Sequence, residues 1–296
     1  MNTTDETDQI LQLRDVRKTY KEFVLDGINL TVPRGHILGL VGPNGAGKTT
    51  TIKTLMNLIR MDSGDLSIFG LGYDTHEKEI KNRIGYVGEQ QYFYDNKSVD
   101  WTERFVSQYY SRWDDTEFDA LLTSFDISRT KKVRELSRGM RVKLALAIAL
   151  SHNAELIILD EPTAGLDPIV RREVLELLMR VTDDESRSVV ISSHITDDIT
   201  RISDYIAFMI NGKIRMHSEK DELLSNWKLI HYKSGTLDAE MISSFSHIQD
   251  HQFGSSGVTR NYLEIRDQLT TGMATEDVKV ENISLDDILI SLVEDK

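Results

Sequence analysis

The sequence predicts an α/β fold built on a mostly parallel sheet, with an antiparallel β subdomain, an inserted helical subdomain and a small C-terminal α+β extension. Three observations carry this. "HILGLV" runs into the glycine-rich "GPNGAGKT" at 42–49 and then into "TTIKTLMNLI", an apolar strand, a loop and a helix. After 155, apolar runs ("ELIILD", "RSVVISS", "YIAFMI") alternate with helical patterns ("PIVRREVLELLMRVT", "ITDDITRI"), as in parallel strands joined by crossover helices. Between about 92 and 151 the spacing is helical and the strand signal weak.

The elements follow in order. Residues 10–35 alternate apolar and polar and end at "PRG", predicting short antiparallel strands. "GDLSIFG" and "RIGYVG" read as further strands, and "SVDWTERFVSQYYSRW", "DTEFDALLTSF" and "RVKLALAIALSH" as the inserted helices. "INGK" at 210–213 marks a hairpin turn, and "SEKD" at 218–221 has the spacing of a capping box. From about Leu229 the chain breaks into short strands, a Gly/Ser turn "FGSSG" at 253–257 and a terminal helix starting near Ser284. The expected division is 8–228 for the main domain, with its helical insertion at about 92–151, and 229–296 for the extension.

Composition excludes several classes. At 296 residues there is room for one large domain and an appendage. A net charge of -13 disfavours a sequence-independent grip on nucleic acid, so no nucleic-acid partner is expected. The absence of cysteine removes disulfides and thiolate metal sites, and fits a reducing compartment. "MNTTDETDQI" is acidic and polar, unlike a signal peptide, and no apolar run approaches the roughly 18 residues of a spanning helix. Action at a membrane would then require a partner.

In "GPNGAGKT", Gly42, Gly45 and Gly47 let backbone N–H groups curl round phosphate oxygens, Lys48 reaches the β and γ phosphates, and the Thr49 hydroxyl can ligate Mg²⁺. "LIILDEP" ends an apolar strand on Asp160 and Glu161, at the carboxyl edge of a parallel sheet. The first carboxylate suits a metal shell and the second a general base toward water. His194 follows "SVVISS" and reaches the same edge if that strand is the next neighbour. Tyr20, after the first strand, can stack on adenine. A second anion-directed feature is "LSRGMRVK" at 136–143: Ser137 is a good N-cap, yet Arg138, Arg141 and Lys143 place cations where the helix dipole disfavours them by ~0.3 to 1 kcal/mol each. An anion docking there would offset that cost.

Taken together, the phosphate loop 42–49, "LSRGM" at 136–140, "LIILDE" at 156–161, "AGLD" at 164–167 and His194 resemble, in order and spacing, the ATPase subunit of an ABC transporter, from about residue 10 to 225. The resemblance implies a P-loop NTPase of the ABC ATPase fold that hydrolyses ATP with Mg²⁺. It implies nucleotide contacts by Gly42, Pro43, Asn44, Gly45, Ala46, Gly47, Lys48, Thr49, Thr50 and Tyr20, metal contacts by Thr49, Glu89 and Asp160, and catalysis by Glu161 and His194. It further implies a homodimer or heterodimer in which Ser137, Arg138 and Gly139 cover the nucleotide held by the other chain, with Asp167 in the loop crossing between subunits. An integral-membrane permease would complete the assembly at the cytoplasmic face of the cell membrane.

Two departures stand out. The family's signature usually reads LSGGQ, whereas here Arg138 adds a charge and Met140 loses an amide. Glu89 stands where a glutamine is expected, and Gln90, one residue later, points to the opposite face of extended chain. These features are similar to ABC-2 type exporters of Gram-positive bacteria that export peptides or confer antibiotic resistance. Tyr92, Phe93 and Tyr94 of "QQYFY" would either form an exposed aromatic surface suited to a permease helix or simply cover the core. The alternative is a soluble ABC ATPase acting in cofactor assembly or another non-transport process.

Overall fold

The computed structural model describes residues 9–183, 185–252, 254–270 and 277–294. The acidic stretch 1–8, Phe253 at the head of the expected Gly/Ser turn, and Asp295 at the end of the expected terminal helix lie outside the described residues. Two units form, Met1–His217 and Ser218–Lys296.

In the first unit, β1 (Gln9–Thr19) pairs antiparallel with β2 (Val24–Pro33) and with β4 (Ser63–Ile68), in the order β2-β1-β4. Their alternating side chains bury Leu11, Leu13, Leu25, Ile28, Leu30 and Ile68, as period-2 strands with one covered face should. The second sheet is the α/β core. Its order is β5-β6-β7-β3-β8-β9, with β3 Ile37–Val41, β5 Ile84–Val87, β6 Leu156–Asp160, β7 Ser188–Ser193, β8 Tyr205–Ile210 and β9 Lys213–Glu219. Neighbours from β5 through β8 run parallel. Every residue of β3, β6 and β7 is buried, which fits a parallel sheet covered on both faces. Helices α1 (Lys48–Leu55), α2 (Tyr73–Asn82), α6 (Pro168–Thr182) and α7 (Thr196–Ile202) connect these strands. Asn211 and Gly212, both left-handed, make the hairpin turn between β8 and β9 that "INGK" predicts.

Between β5 and β6 stand the inserted helices α3 (Val99–Ser107), α4 (Asp115–Ser124) and α5 (Arg138–Leu150). Each begins on a side-chain cap: Ser98 for α3, Asp114 for α4 and Ser137 for α5.

The second unit holds α8 (Lys220–Asn226), α9 (Ala239–Ser243), α10 (Tyr262–Thr270) and α11 (Leu285–Glu294) with a four-stranded antiparallel sheet. Its strands are β10 (Lys228–Tyr232), β11 (Ser246–His251), β12 (Gly254–Thr259) and β13 (Val278–Asn282), in the order β11-β12-β10-β13. Ile230, Tyr232, Met241, Phe245, Ile265 and Leu269 form its core. Three expectations need correction. The division falls after His217 rather than after 228, because α8 packs on α10 and β10 belongs to this sheet. The Gly/Ser stretch from 254 is strand β12, paired on both edges, where the small residues allow close approach to Phe245. At 218–221 the helix starts at Lys220 with Glu219 as N-cap and no side-chain cap bond. A capping box forms instead at Ser284, which accepts from Asp287 N at 3.2 Å while Asp287 accepts from Ser284 N at 3.4 Å.

Candidate functional site

The parallel register brings the ends of β3, β6 and β7 side by side, and the loops leaving them build one site. From β3 the chain passes through Gly42 to Gly47 into α1. Gly47 is left-handed at φ 113°, and a Cβ there would meet Phe23 Cζ at 2.7 Å, so no other residue closes this turn. The loop wraps a cavity of about 720 Å³ lined by Asn44, Gly45, Ala46, Gly47, Lys48, Thr49 and Thr50 with Glu22, Phe23, Glu89, Glu161, Ala164 and His194.

Lys48 Nζ donates to Gly42 O at 2.7 Å and to Pro43 O at 3.3 Å, and lies 3.3 Å from Glu161 Oε1. The other oxygen, Glu161 Oε2, accepts from His194 N at 3.3 Å and stands 2.7 Å from His194 Nδ1. Glu161 itself is left-handed at φ 49°, an uncommon conformation for a residue with a side chain, and its N–H donates to Ser192 Oγ at 3.0 Å. Asp160 is 1% exposed, and its Oδ1 accepts from Ser192 Oγ at 2.6 Å and from Thr49 Oγ1 at 3.2 Å. No cation pairs with Asp160 among the described residues. A buried carboxylate whose only partners are hydroxyls is short of positive charge. With the Thr49 hydroxyl it makes an oxygen donor pair that suits Mg²⁺, an ion commonly held by one or two carboxylates together with substrate phosphates. The Tyr86 phenol is pushed above its ordinary pKa by burial and by the charges of Asp160 and Glu89.

Most of the residues singled out in the sequence converge here: the loop residues, Asp160, Glu161, His194 and Glu89. Gln90 is turned away and accepts from the Tyr92 hydroxyl at 2.7 Å. Glu22 and Phe23 line the cavity and Tyr20 is not part of that lining; Lys18 Nζ lies 5.8 Å from the centroid of its ring. Ser192 escapes a sequence reading because its hydroxyl matters only through the pairing of β7 with β6.

The signature lies apart. Ser137 accepts from Met140 N at 3.2 Å and caps α5. Gly139 packs against α6, where a Cβ would meet Val170 Cγ1 at 2.9 Å. The three cations divide: Arg141 pairs with Asp95 at 2.9 Å and Lys143 with Glu173 at 2.5 Å, so their cost near the helix start is met inside the chain. Arg138 has no ion pair among the described residues, and its guanidinium is exposed beside Gly165. Asp167 caps α6, accepting from Ile169 N at 3.0 Å and Val170 N at 3.1 Å.

A phosphate loop, a buried strand-end Asp and a following Glu on an open parallel sheet define a P-loop nucleoside triphosphatase. A family model described as "ABC transporter" matches residues 25–164, and the bacitracin transport ATP-binding protein BcrA of Bacillus licheniformis is 31% identical, over 96% of this chain and 97% of that protein. The chain belongs to the ABC transporter family, as its ATP-binding, ATP-hydrolysing subunit. The lantibiotic transport ATP-binding protein SrtF of Streptococcus pyogenes is 34% identical, over 72% of this chain and 92% of that one. An ATP-binding subunit of an ABC transporter superposes with a TM-score of 0.66 at 25% identity, covering 73% of this chain and 92% of that chain. A dimeric ATP-binding cassette in a post-hydrolysis state, bound to ADP and Pi, shares the fold with a TM-score of 0.64 at 22% identity, over 71% of this chain and 98% of that one. These relatives are transport proteins, so the non-transport alternative is not favoured. Among the described residues no helix is long and apolar enough to cross a membrane.

Proposed function

We propose that this chain drives export of a peptide antibiotic through a separate permease, by closing as a dimer on two ATP molecules and reopening after hydrolysis. The carrying observation is the pair of half-sites: a cavity with phosphate loop, carboxylates and His194, and a start of α5 where Ser137 and Arg138 are exposed, Gly139 is buried against α6, and none of the three lines that cavity. Full-length similarity to a bacitracin transport protein and partial similarity to a lantibiotic transport protein support the substrate class. Location at the cytoplasmic face of the membrane follows from the permease.

In this reading the amides of 42–47 cradle the phosphates and Lys48 leaves Glu161 for the β and γ phosphates, which frees Glu161 to take a proton from water. His194 keeps Glu161 aimed and faces the γ-phosphate. Asp160 and Thr49, with Glu89 at the cavity wall, would hold Mg²⁺, which neutralises phosphate charge when bound. The loop of Tyr20 and Phe23 meets the adenine, with Phe23 on the wall. Asp167 sits where the two chains cross. Beyond Glu89 the chain runs to an aromatic patch: Tyr94 stands edge-on to Trp101 and Phe105, whose rings stack at 5.1 Å, and Tyr92 is 88% exposed. That surface suits an amphipathic helix of the permease.

The test is complementation. Lys48→Ala and Ser137→Ala homodimers each damage both composite sites and should hydrolyse ATP poorly. Mixed dimers, verified with differently tagged chains, contain one site assembled from healthy halves and should regain activity. If tagged mixed dimers form and stay as inactive as their parents, a tandem-linked dimer with one Ser137→Ala decides: activity there means that the sites are not shared between chains.

A further inference from the structure

Asp198 lies in the first turn of α7, the fourth residue after His194, and is 2% exposed. A carboxylate buried so deeply requires partners, and each oxygen has one. Oδ2 accepts from the Thr163 hydroxyl at 2.7 Å, and Oδ1 from Arg171 Nε at 2.6 Å. Thr163 is buried two residues beyond Glu161, and Arg171 is in the first turn of α6, just past its cap Asp167. One carboxylate therefore fastens the segment after Glu161, the start of α6 and the helix after His194. The Glu161–His194 contact at 2.7 Å joins two of the same segments from the cavity side. The segment between is irregular, with Glu161 at φ 49° and backbone bonds from Ala164 N to Glu161 O and from Leu166 N to Thr163 O. Such a conformation persists where its surroundings over-determine it.

We propose that Asp198 is a positioning residue for ATP hydrolysis. It is buried and does not line the cavity; it holds Thr163 and α7 so that Glu161 and His194 meet and face the cavity, and through Arg171 it sets the start of α6 behind Asp167. The proposal rests on Glu161 and His194 being the hydrolytic pair. Among the described residues no hydrogen bond links Asp198, Thr163 or Arg171 to the phosphate loop, so nucleotide binding and turnover should separate.

The test compares kcat, KM for ATP and melting temperature in Asp198→Asn and Thr163→Val. Thr163→Val keeps the Asp198–Arg171 ion pair, so no charge is left buried alone, and it decides the matter if Asp198→Asn does not fold. Both should lower kcat about ten- to a hundredfold, the scale of a small misplacement of catalytic groups, with KM near wild type. Thr163→Ser keeps the hydroxyl and should restore most of kcat. The double variant should be no worse than the more impaired single one. A lowered melting temperature with unchanged kcat per folded chain overturns the proposal, as does a Thr163→Ser variant as impaired as Thr163→Val. If Glu161→Gln itself hydrolyses normally, the underlying reading fails; if Glu161→Gln is inactive while Thr163→Val is not, only the positioning role fails.

Discussion

The phosphate loop and the "LSRGM" signature both set a glycine at the start of a helix, Gly47 as the N-cap of α1 and Gly139 in the first turn of α5, and end in opposite conditions. At the first, strand ends from β3, β6 and β7 arrive together, so that buried Lys48 and Asp160 and the Glu161–His194 pair come from separate parts of one chain. At the second, α5 starts at the surface, Ser137 spends its hydroxyl on its own cap, and Arg138 is exposed. A helix start becomes a reaction site only where the fold brings other groups to it. Glu161→Gln removes what the first site has and the second lacks. It keeps the shape but removes the base, so turnover should fall by ~10² to 10⁴ while ATP still binds and a closed dimer accumulates. Single-turnover hydrolysis with a size measurement of the ATP-bound species checks this; near wild-type hydrolysis would put the chemistry outside the first site.

What was legible follows the same divide. The phosphate loop, Asp160, Glu161 and His194 can be read from sequence because each sits at a strand end, where local pattern dictates the neighbourhood. The division into sheets and inserted helices is equally local, resting on period and turn residues. What stayed hidden depends on register or on distant partners. Ser192 reaches Asp160 through the pairing of β6 and β7, and Phe23 rather than Tyr20 faces the cavity because of how the β1–β2 turn lies. Arg141 and Lys143 of α5 find their partners, Asp95 and Glu173, on other elements, which no local pattern shows. Asp198, Thr163 and Arg171 read as ordinary helix and loop residues until the fold joins them.

A smaller effect sharpens the contrast inside the signature itself. Arg138→Ala should lower ATPase activity about tenfold, the lower end of what one hydrogen bond from a charged group contributes, and leave ATP binding by the isolated chain unchanged. Arg141→Ala should alter neither much, because its pair with the 58% exposed side chain of Asp95 is a solvent-screened surface contact. Steady-state rates and nucleotide titrations of the two variants provide the check. Equal losses in both would mean that the positive charge of the helix start matters as a whole and that Arg138 has no special target.

The smallest expected effect concerns how the far end of the signature helix is tied to the core. His152 follows α5 and is 1% exposed; its Nε2 stands 3.0 Å from Ile84 O of β5, its Nδ1 3.1 Å from Ile148 O, and its ring stacks on Tyr110 at 3.9 Å. Burial pushes its pKa below the ordinary value, the Ile84 and Ile148 carbonyls pull it back in part, and the Arg112 and Arg187 charges add to the depression. An unfolded chain, with histidine near ~6.5, then binds the proton at a pH where the folded one does not. Stability accordingly rises with pH across that interval. The contribution is whole above about 6.5 and is lost as pH falls from there through the folded value. Melting temperatures of wild type and His152→Gln between neutral and mildly acidic pH should show the steeper decline in wild type, with matching slopes above neutrality. Parallel curves throughout would mean that the imidazole is not the titrating link. Because Lys48 and Glu161 lie on other elements, ATP affinity per folded chain should hold while that tie weakens, which separates the two regions by pH alone.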